Sequence, residues 1–395
     1  MKKASLDDLS AFGDNTRLVN AGRDPARFDG FVNTPVFHGS TILSPSVKDY
    51  LGETGRYTYA RRGSPGSEAL SEALQTMERS AGVVLCPSGL SAASTALLSI
   101  LNAGDHLLMT DSAYGPTRSI CKRELPRFGI EVTYYDPLIG GDIEQLMKPN
   151  TKAVYCESPG SLTFEMQDVP AIAAAAHRRE AFVLMDNTWA TPLYCKAHAL
   201  GVDLSIQAGT KYIVGHSDVM MGTVSASERA WPHLKRFTFD TGLCVGPDDM
   251  FLSMRGLRTM GVRLARHQKS ALEIASWLET HDQISRVLYP ALPSHPGHAI
   301  FKRDYSGASG LFSVILQPGS MEAVGAFLDD LALFGIGASW GGYESLAIPF
   351  DSRNGRTATV WAPEGPTVRL HIGLEEVPDL MADLAAGLER YRRAR

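Results

Sequence analysis

Short apolar runs in the middle of this 395-residue chain each end in residues that can do chemistry. VVLC (83–86) leads into Pro87, Ser88, Gly89 and Leu90, a small polar turn ahead of an Ala/Leu-rich stretch. Free N–H groups at such a helix start form a ready anion site, although the serine alone reads as a simple cap. HLLMT (106–110) is followed by Asp111, Ser112 and Tyr114, and KAVYC (152–156) by Glu157 and Ser158. AFVLM (181–185) ends in Asp186 and Asn187, and DLSIQ (203–207) leads to Thr210 and Lys211. Taken singly, Tyr114 is a rim aromatic, Asp186 a turn acid and Lys211 a surface lysine. An acid directly after a fully apolar strand must nevertheless find a proton or a cation.

The combination is more specific than its parts. An anion cradle (Ser88, Gly89, Leu90), a stacking ring, a buried acid and a lysine amine match the needs of pyridoxal 5′-phosphate. Its phosphate wants N–H and hydroxyl donors, and its ring wants an aromatic face. Its pyridine nitrogen wants a carboxylate, and its aldehyde an amine.

The elements that must position these groups can be placed by hydrophobic pattern. Continuous apolarity at strand length suits strands buried on both faces of a parallel sheet. The stretches between them, SAASTALLSIL and DVPAIAAAAHRRE among them, are long and Ala-rich enough for crossover helices. An α/β fold is expected, with a mostly parallel sheet covered by helices and ligands beyond the carboxyl ends of its strands. From Arg255, RGLRTMGVRLARHQKSALEIASWLETH reads as one long amphipathic helix. RVLY, LFSVIL and TVRLHI then read as strands and Val377 to Arg393 as a terminal helix. We therefore expect an N-terminal extended arm (1–60), a cofactor-binding α/β domain (61–254) and a smaller C-terminal α/β domain (255–395).

Composition bounds the rest. With 38 Lys+Arg against 43 Asp+Glu the net charge is −5, which argues against a nucleic-acid partner. No uncharged apolar stretch approaches the ~20 residues that cross a bilayer, so no membrane partner is expected. Asp7 and Asp8 stand where a signal peptide would carry its apolar core, and a cytoplasmic protein is expected. Five scattered cysteines without C-x-x-C predict reduced core thiols and no metal site.

The segment DLSIQAGTKYIVGHSD (203–218) resembles the lysine signature of the Cys/Met-metabolism family of pyridoxal-phosphate enzymes, which have fold type I. The resemblance runs through YTYARRG, CPSGLSA, DSAYGPT, ESPGSLT, MDNTWATP, SWGGYESL and VRLHIGLE. Within the family, DPLIGGDIE, ESPGS and SWGGYESL are most similar to the bacterial cystathionine β-lyase branch. Synthases and γ-lyases usually carry Asn-Pro where this chain has Ser161 and Leu162. The resemblance implies that Lys211 takes the cofactor aldehyde as a Schiff base, that Asp186 faces the pyridinium nitrogen, and that Tyr114 stacks on the ring. It implies phosphate contacts from Gly89, Leu90 and Thr210, with Tyr59 and Arg61 reaching the phosphate of a neighbouring subunit. The active unit would then be a homodimer with shared sites, and two dimers would form a tetramer. Arg369, helped by Ser339 and Trp340, would clamp the substrate α-carboxylate. The implied reaction is β-elimination of L-cystathionine, or of a related S-substituted cysteine, to thiol, pyruvate and ammonia, with Lys211 as base and Tyr114 assisting.

This chain departs from relatives that place acids after the stacking tyrosine, having Gly115, Thr117 and Ser119 there. Ala338 stands where β-lyases often carry tyrosine, and Ala208 where many members carry serine. A wider pocket that accepts cystine is the expectation from Ala338 and Ser119. The nearest rival is γ-elimination or γ-replacement on homoserine derivatives. A nucleotide-binding oxidoreductase lacks support, because C-P-S-G-L-S stands where G-x-G-x-x-G would come after the first strand. A non-catalytic binder would have no use for the lysine base.

Overall fold

The computed structural model describes residues 9–395, so the reading of the first eight residues lies outside the described residues. Seven strands form the larger sheet: β1 Gly82–Cys86, β2 His106–Thr110, β3 Glu131–Tyr135, β4 Thr151–Glu157, β5 Phe182–Asp186, β6 Leu204–Gln207 and β7 Gly222–Ala226. Their spatial order is β1-β7-β6-β5-β4-β2-β3. Pairing is parallel from β6 through β5, β4 and β2 to β3, whereas β7 runs antiparallel between β1 and β6. Six strands therefore point one way, and their carboxyl ends share one edge.

The five apolar runs are β1, β2, β4, β5 and β6. β3 carries no such run because it is an edge strand, and most of EVTYY is only partly covered. GTVSA of β7 is fully buried although small and polar. Its size is the reason: a Cβ on Gly222 would lie 2.2 Å from the Ser88 carbonyl oxygen, so only glycine lets the first turn approach the sheet.

A second sheet of β8 Ile284–Leu288, β9 Leu311–Leu316, β10 Leu346–Phe350 and β11 Thr367–His371 is antiparallel throughout, in the order β10-β11-β9-β8. The long helix runs Pro247–Leu278, so the expected division at 254/255 falls inside it. Pro247 opens it, as suits a residue whose missing N–H would be unpaired there anyway. Gly256 lets the helix lie on the segment after Lys211, since a Cβ there would meet the Val214 carbonyl oxygen at 2.2 Å. Arg258 donates to the Leu18 and Ala21 carbonyls, and Arg263 to the Gly256 carbonyl. The segment before residue 60 is not simply extended. It contains the helices Asp14–Asn20 and Val47–Gly52, and Leu9, Leu18 and Ala21 are buried.

A cluster of hydrogen bonds fastens the loop between β10 and β11 to the residue after β2. Asp111, buried just past β2, accepts from the N–H groups of Thr357 (2.9 Å), Ala358 (2.9 Å) and Thr359 (2.8 Å). The hydroxyls of Thr357 and Thr359 and the Arg118 guanidinium add three more donors. Burial opposes ionisation, yet these donors outweigh it and hold the carboxyl at about 2. The folded value lies below the unfolded 3.8, so this stabilisation is complete above about pH 4 and drains away as the pH falls toward 2. Asp111→Asn strips the charge from several buried donors and is expected to cost about 3 kcal/mol. Urea unfolding at pH 7 measures it, and a midpoint equal to wild type would contradict a stabilising strap.

Candidate active site

The cradle forms where β1 turns into the helix Gly89–Ile100. Ser88 caps that helix, its Oγ accepting the Ser91 N–H at 3.1 Å, which leaves the hydroxyl proton free to donate. Gly89 and Leu90 occupy the first turn, where N–H groups have no intrahelical acceptor. A Cβ on Gly89 would sit 2.5 Å from the Ala208 Cβ, so the glycine is what admits the turn against the lysine segment. The Thr210 hydroxyl is engaged elsewhere: it donates to the Met221 carbonyl at 3.0 Å and accepts the Met221 N–H at 2.9 Å.

Asp186 ends β5. Its Oδ1 accepts from the Thr188 N–H at 3.0 Å and the Thr188 hydroxyl at 2.6 Å. The same hydroxyl oxygen accepts the Ala208 N–H at 2.8 Å, which ties the acid to the segment carrying Lys211. Burial pushes the Asp186 carboxyl up, and the Thr188 donors and the Lys211 charge push it down. No ion pair neutralises it among the described residues. It is thus a carboxylate that a cationic ring nitrogen would satisfy.

Lys211 donates to Ser339 Oγ at 2.6 Å, with its Nζ 5.4 Å from the Trp340 ring centroid. Gly341, in the left-handed region at φ +89, folds the Ser339 loop onto it; a Cβ there would stand 3.0 Å from Lys211 Cα. Burial, then the positive charge of Arg369, lower the amine to about 8, and Asp186 opposes both. Arg369, on β11 and only 7% exposed, donates to the Ser339 carbonyl at 2.9 Å and the Ala338 carbonyl at 3.3 Å. Tyr114 is half exposed at the rim, and partial burial first, with the nearby Asp186 charge, pushes its phenol up while Arg369 opposes both. Its backbone N–H donates to Glu157 Oε2 at 2.7 Å.

Lys211, Asp186, Tyr114, Arg369, Ser339 and Trp340 therefore meet around one space at the sheet edge. Tyr59 and Arg61 do not join them within the chain: Tyr59 bridges Thr41, and Arg61 donates to the Phe239 carbonyl at 3.2 Å. Two participants have no role assigned by sequence pattern. Glu157 is visible at the end of its strand, and Thr188 could be found as a hydroxyl two residues past the acid, the spacing of a local turn. Four of the five cysteines are buried, and burial pushes the thiols of Cys86, Cys121 and Cys156 up to about 12. No cluster of His, Cys, Asp or Glu suited to a metal occurs among the described residues, and no helix among them is long and apolar enough to cross a membrane.

The close-approach glycines at the anion turn, the unneutralised acid and the lowered amine fit pyridoxal 5′-phosphate. Known proteins agree. A protein of Rhizobium johnstonii, provisionally named a cystathionine β-lyase, is 52% identical over 96% of both chains. The cystathionine β-lyase of Salmonella typhimurium is 44% identical over 95% of this chain and 98% of its own. The crystal structure of a cystathionine γ-synthase from Xanthomonas oryzae, complexed with aminoacrylate and cysteine, superposes with a TM-score of 0.90 at 32% identity, covering 97% of this chain and all of that one. A family description, Cys/Met metabolism PLP-dependent enzyme, matches residues 15–389, and the chain belongs to that pyridoxal 5′-phosphate-dependent family.

Proposed function

We propose that this chain is a carbon–sulfur lyase that cleaves L-cystathionine by β-elimination, releasing homocysteine and a three-carbon enamine that water converts to pyruvate and ammonia. The carrying observation is that Lys211, the Asp186 carboxyl and the buried Arg369 guanidinium converge on one space, tied through Ser339 and Thr188, and burial and the Arg369 charge lower that amine to about 8. Near neutral pH that value gives Lys211 a reactive fraction that an ordinary lysine lacks.

When bound, pyridoxal 5′-phosphate supplies the electron sink for the pair left at the substrate Cα. Ser88, Gly89 and Leu90 would hold its phosphate, Tyr114 its ring face, Asp186 its ring nitrogen and Lys211 its aldehyde. Thr210 would join the phosphate set by turning its hydroxyl from Met221. Arg369 would exchange the Ser339 and Ala338 carbonyls for the substrate α-carboxylate, a bidentate match that fixes the Cα–H bond relative to the ring. Lys211, once free, takes the Cα proton; the Cβ–S bond breaks, and the proton returns to the leaving sulfur through Lys211 or the Tyr114 hydroxyl. Ser339 Oγ, already on the amine, steadies it between these roles. Trp340 packs beside both.

β- rather than γ-chemistry is supported by Ser161-Leu162 at the position of the family's Asn-Pro, and by the names of the relatives. The chain would act in the cytoplasm as a homodimer that pairs further into tetramers, and the segment before Tyr59 supports the dimer. There Phe31, Leu43, Val47, Tyr50 and Leu51 are 69–88% exposed in a single chain, which suits burial against a second copy that receives Tyr59 and Arg61. On this reading the larger sheet, within 61–254, carries the cofactor, and the unit from 255 onward supplies Arg369.

Incubation with cystathionine and analysis of the keto acid tests the reaction. We expect pyruvate with homocysteine, and cystine turned over as well. 2-Oxobutyrate with cysteine would mean γ-elimination, and D-amino acid alone would mean that Lys211 returns the proton to Cα.

A further inference from the structure

We infer that Glu157 is a positioning residue held in its neutral form, which fixes the loop of the stacking tyrosine while leaving Asp186 as the single negative group at that end of the pocket. The inference rests on the cofactor site described above and adds a residue to it.

Glu157 and Asp186 are the last residues of β4 and β5, and they are register partners across the parallel pair. Adjacent strands lie ~4.8 Å apart, and paired positions point to the same face, so the two carboxyls emerge side by side. Their surroundings differ. Asp186 accepts two hydrogen bonds from Thr188 and feels the Lys211 cation. Glu157 accepts one, from the Tyr114 N–H at 2.7 Å, and forms no ion pair among the described residues. Two neighbouring carboxyls in a low-dielectric site do not both ionise, and the one with fewer donors and no cation keeps its proton. Burial first, and Asp186 second, push Glu157 well above the usual carboxylate range, in line with that assignment. Asp186 is the one charged group that acts on it.

The consequence is local order without added charge. Tyr114 precedes the helix Gly115–Arg123 without a side-chain cap; its carbonyl accepts the Arg118 N–H of that helix, and its own N–H is held by the carboxyl oxygen of Glu157. An ionised Glu157 would do the same, but it would place a second negative charge beside the ring nitrogen's partner. A neutral carboxyl anchors Tyr114 and leaves the ring nitrogen facing one carboxylate.

Glu157→Gln, always neutral and still an acceptor, and Glu157→Leu, which removes the acceptor, separate these roles. Apo-protein is titrated with pyridoxal 5′-phosphate, and near-UV circular dichroism of the bound chromophore reports how the ring is held. Cofactor affinity and dichroism in Glu157→Gln are expected to match wild type, whereas Glu157→Leu is expected to bind about 5-fold more weakly with an altered band, the scale of one neutral hydrogen bond. Loss in Glu157→Gln equal to that in Glu157→Leu would show that the charge is required and overturn the assignment. Wild-type dichroism in Glu157→Leu would overturn the positioning role. Should Glu157→Leu fail to fold, the Gln arm still decides the charge state. Wild-type protein that binds no cofactor would instead overturn the site reading itself.

Discussion

Lys211→Ala is expected to reduce cystathionine cleavage by about 10³-fold or more, because it deletes both the amine that captures the aldehyde and the group that moves the Cα proton. The anion cradle, Tyr114 and Asp186 are untouched, so the variant should still retain cofactor without a borohydride-trappable bond. Steady-state pyruvate release measures the first effect and reductive labelling of the protein the second. In wild type the rate of trappable bond formation should rise about tenfold per pH unit below 8 and level off above it. The sign comes from the amine's value of about 8: only the neutral form attacks, and its fraction grows until the pH passes that value. Activity preserved in Lys211→Ala would refute the mechanism.

Arg369→Leu should lower kcat/KM by about 30- to 5,000-fold, corresponding to the 2–5 kcal/mol lost when one partner of a buried charged pair is truncated. Most of the loss should appear in KM, since the guanidinium binds a carboxylate that persists through the reaction. A second signature separates this from simple damage. Arg369 depresses the Lys211 amine, so its removal raises that amine toward the usual lysine value and moves the acid limb of the trapping rate to higher pH. Arg369→Lys keeps a charge but not the planar fork, and should fall between the two. A trapping profile unmoved in Arg369→Leu would show that the two groups are not coupled.

How much of the fold and the site is legible in the sequence depends on range along the chain. β1, β2, β4, β5 and β6 are readable because strands buried on both faces must be apolar along their whole length. β7 is not, because its small residues answer to the close approach of the helix Gly89–Ile100 and not to any pattern of their own. The long helix starts eight residues before the point its pattern suggests, since PDDMFLSM presents charges before its apolar stripe. Two of its arginines, Arg258 and Arg263, donate to backbone carbonyls, partners that no local pattern announces. Among site residues, the acid, the ring and the lysine are legible in the residues just past each strand. The aromatic, serine and arginine of the second unit are legible only through the family resemblance.

By itself the sequence determined which residues end the strands, and hence which chemistry one edge of the sheet could assemble, because strand apolarity and turn chemistry are local. Tertiary structure alone decided that Ser339 would meet Lys211 across 128 positions, that Asp111 would hold a loop 246 positions away, and that Glu157 would stand beside Asp186. Those contacts depend on strand order, register and the docking of one sheet on another. Local hydrophobic period reports that a residue is buried but carries no information on which distant group it is buried against.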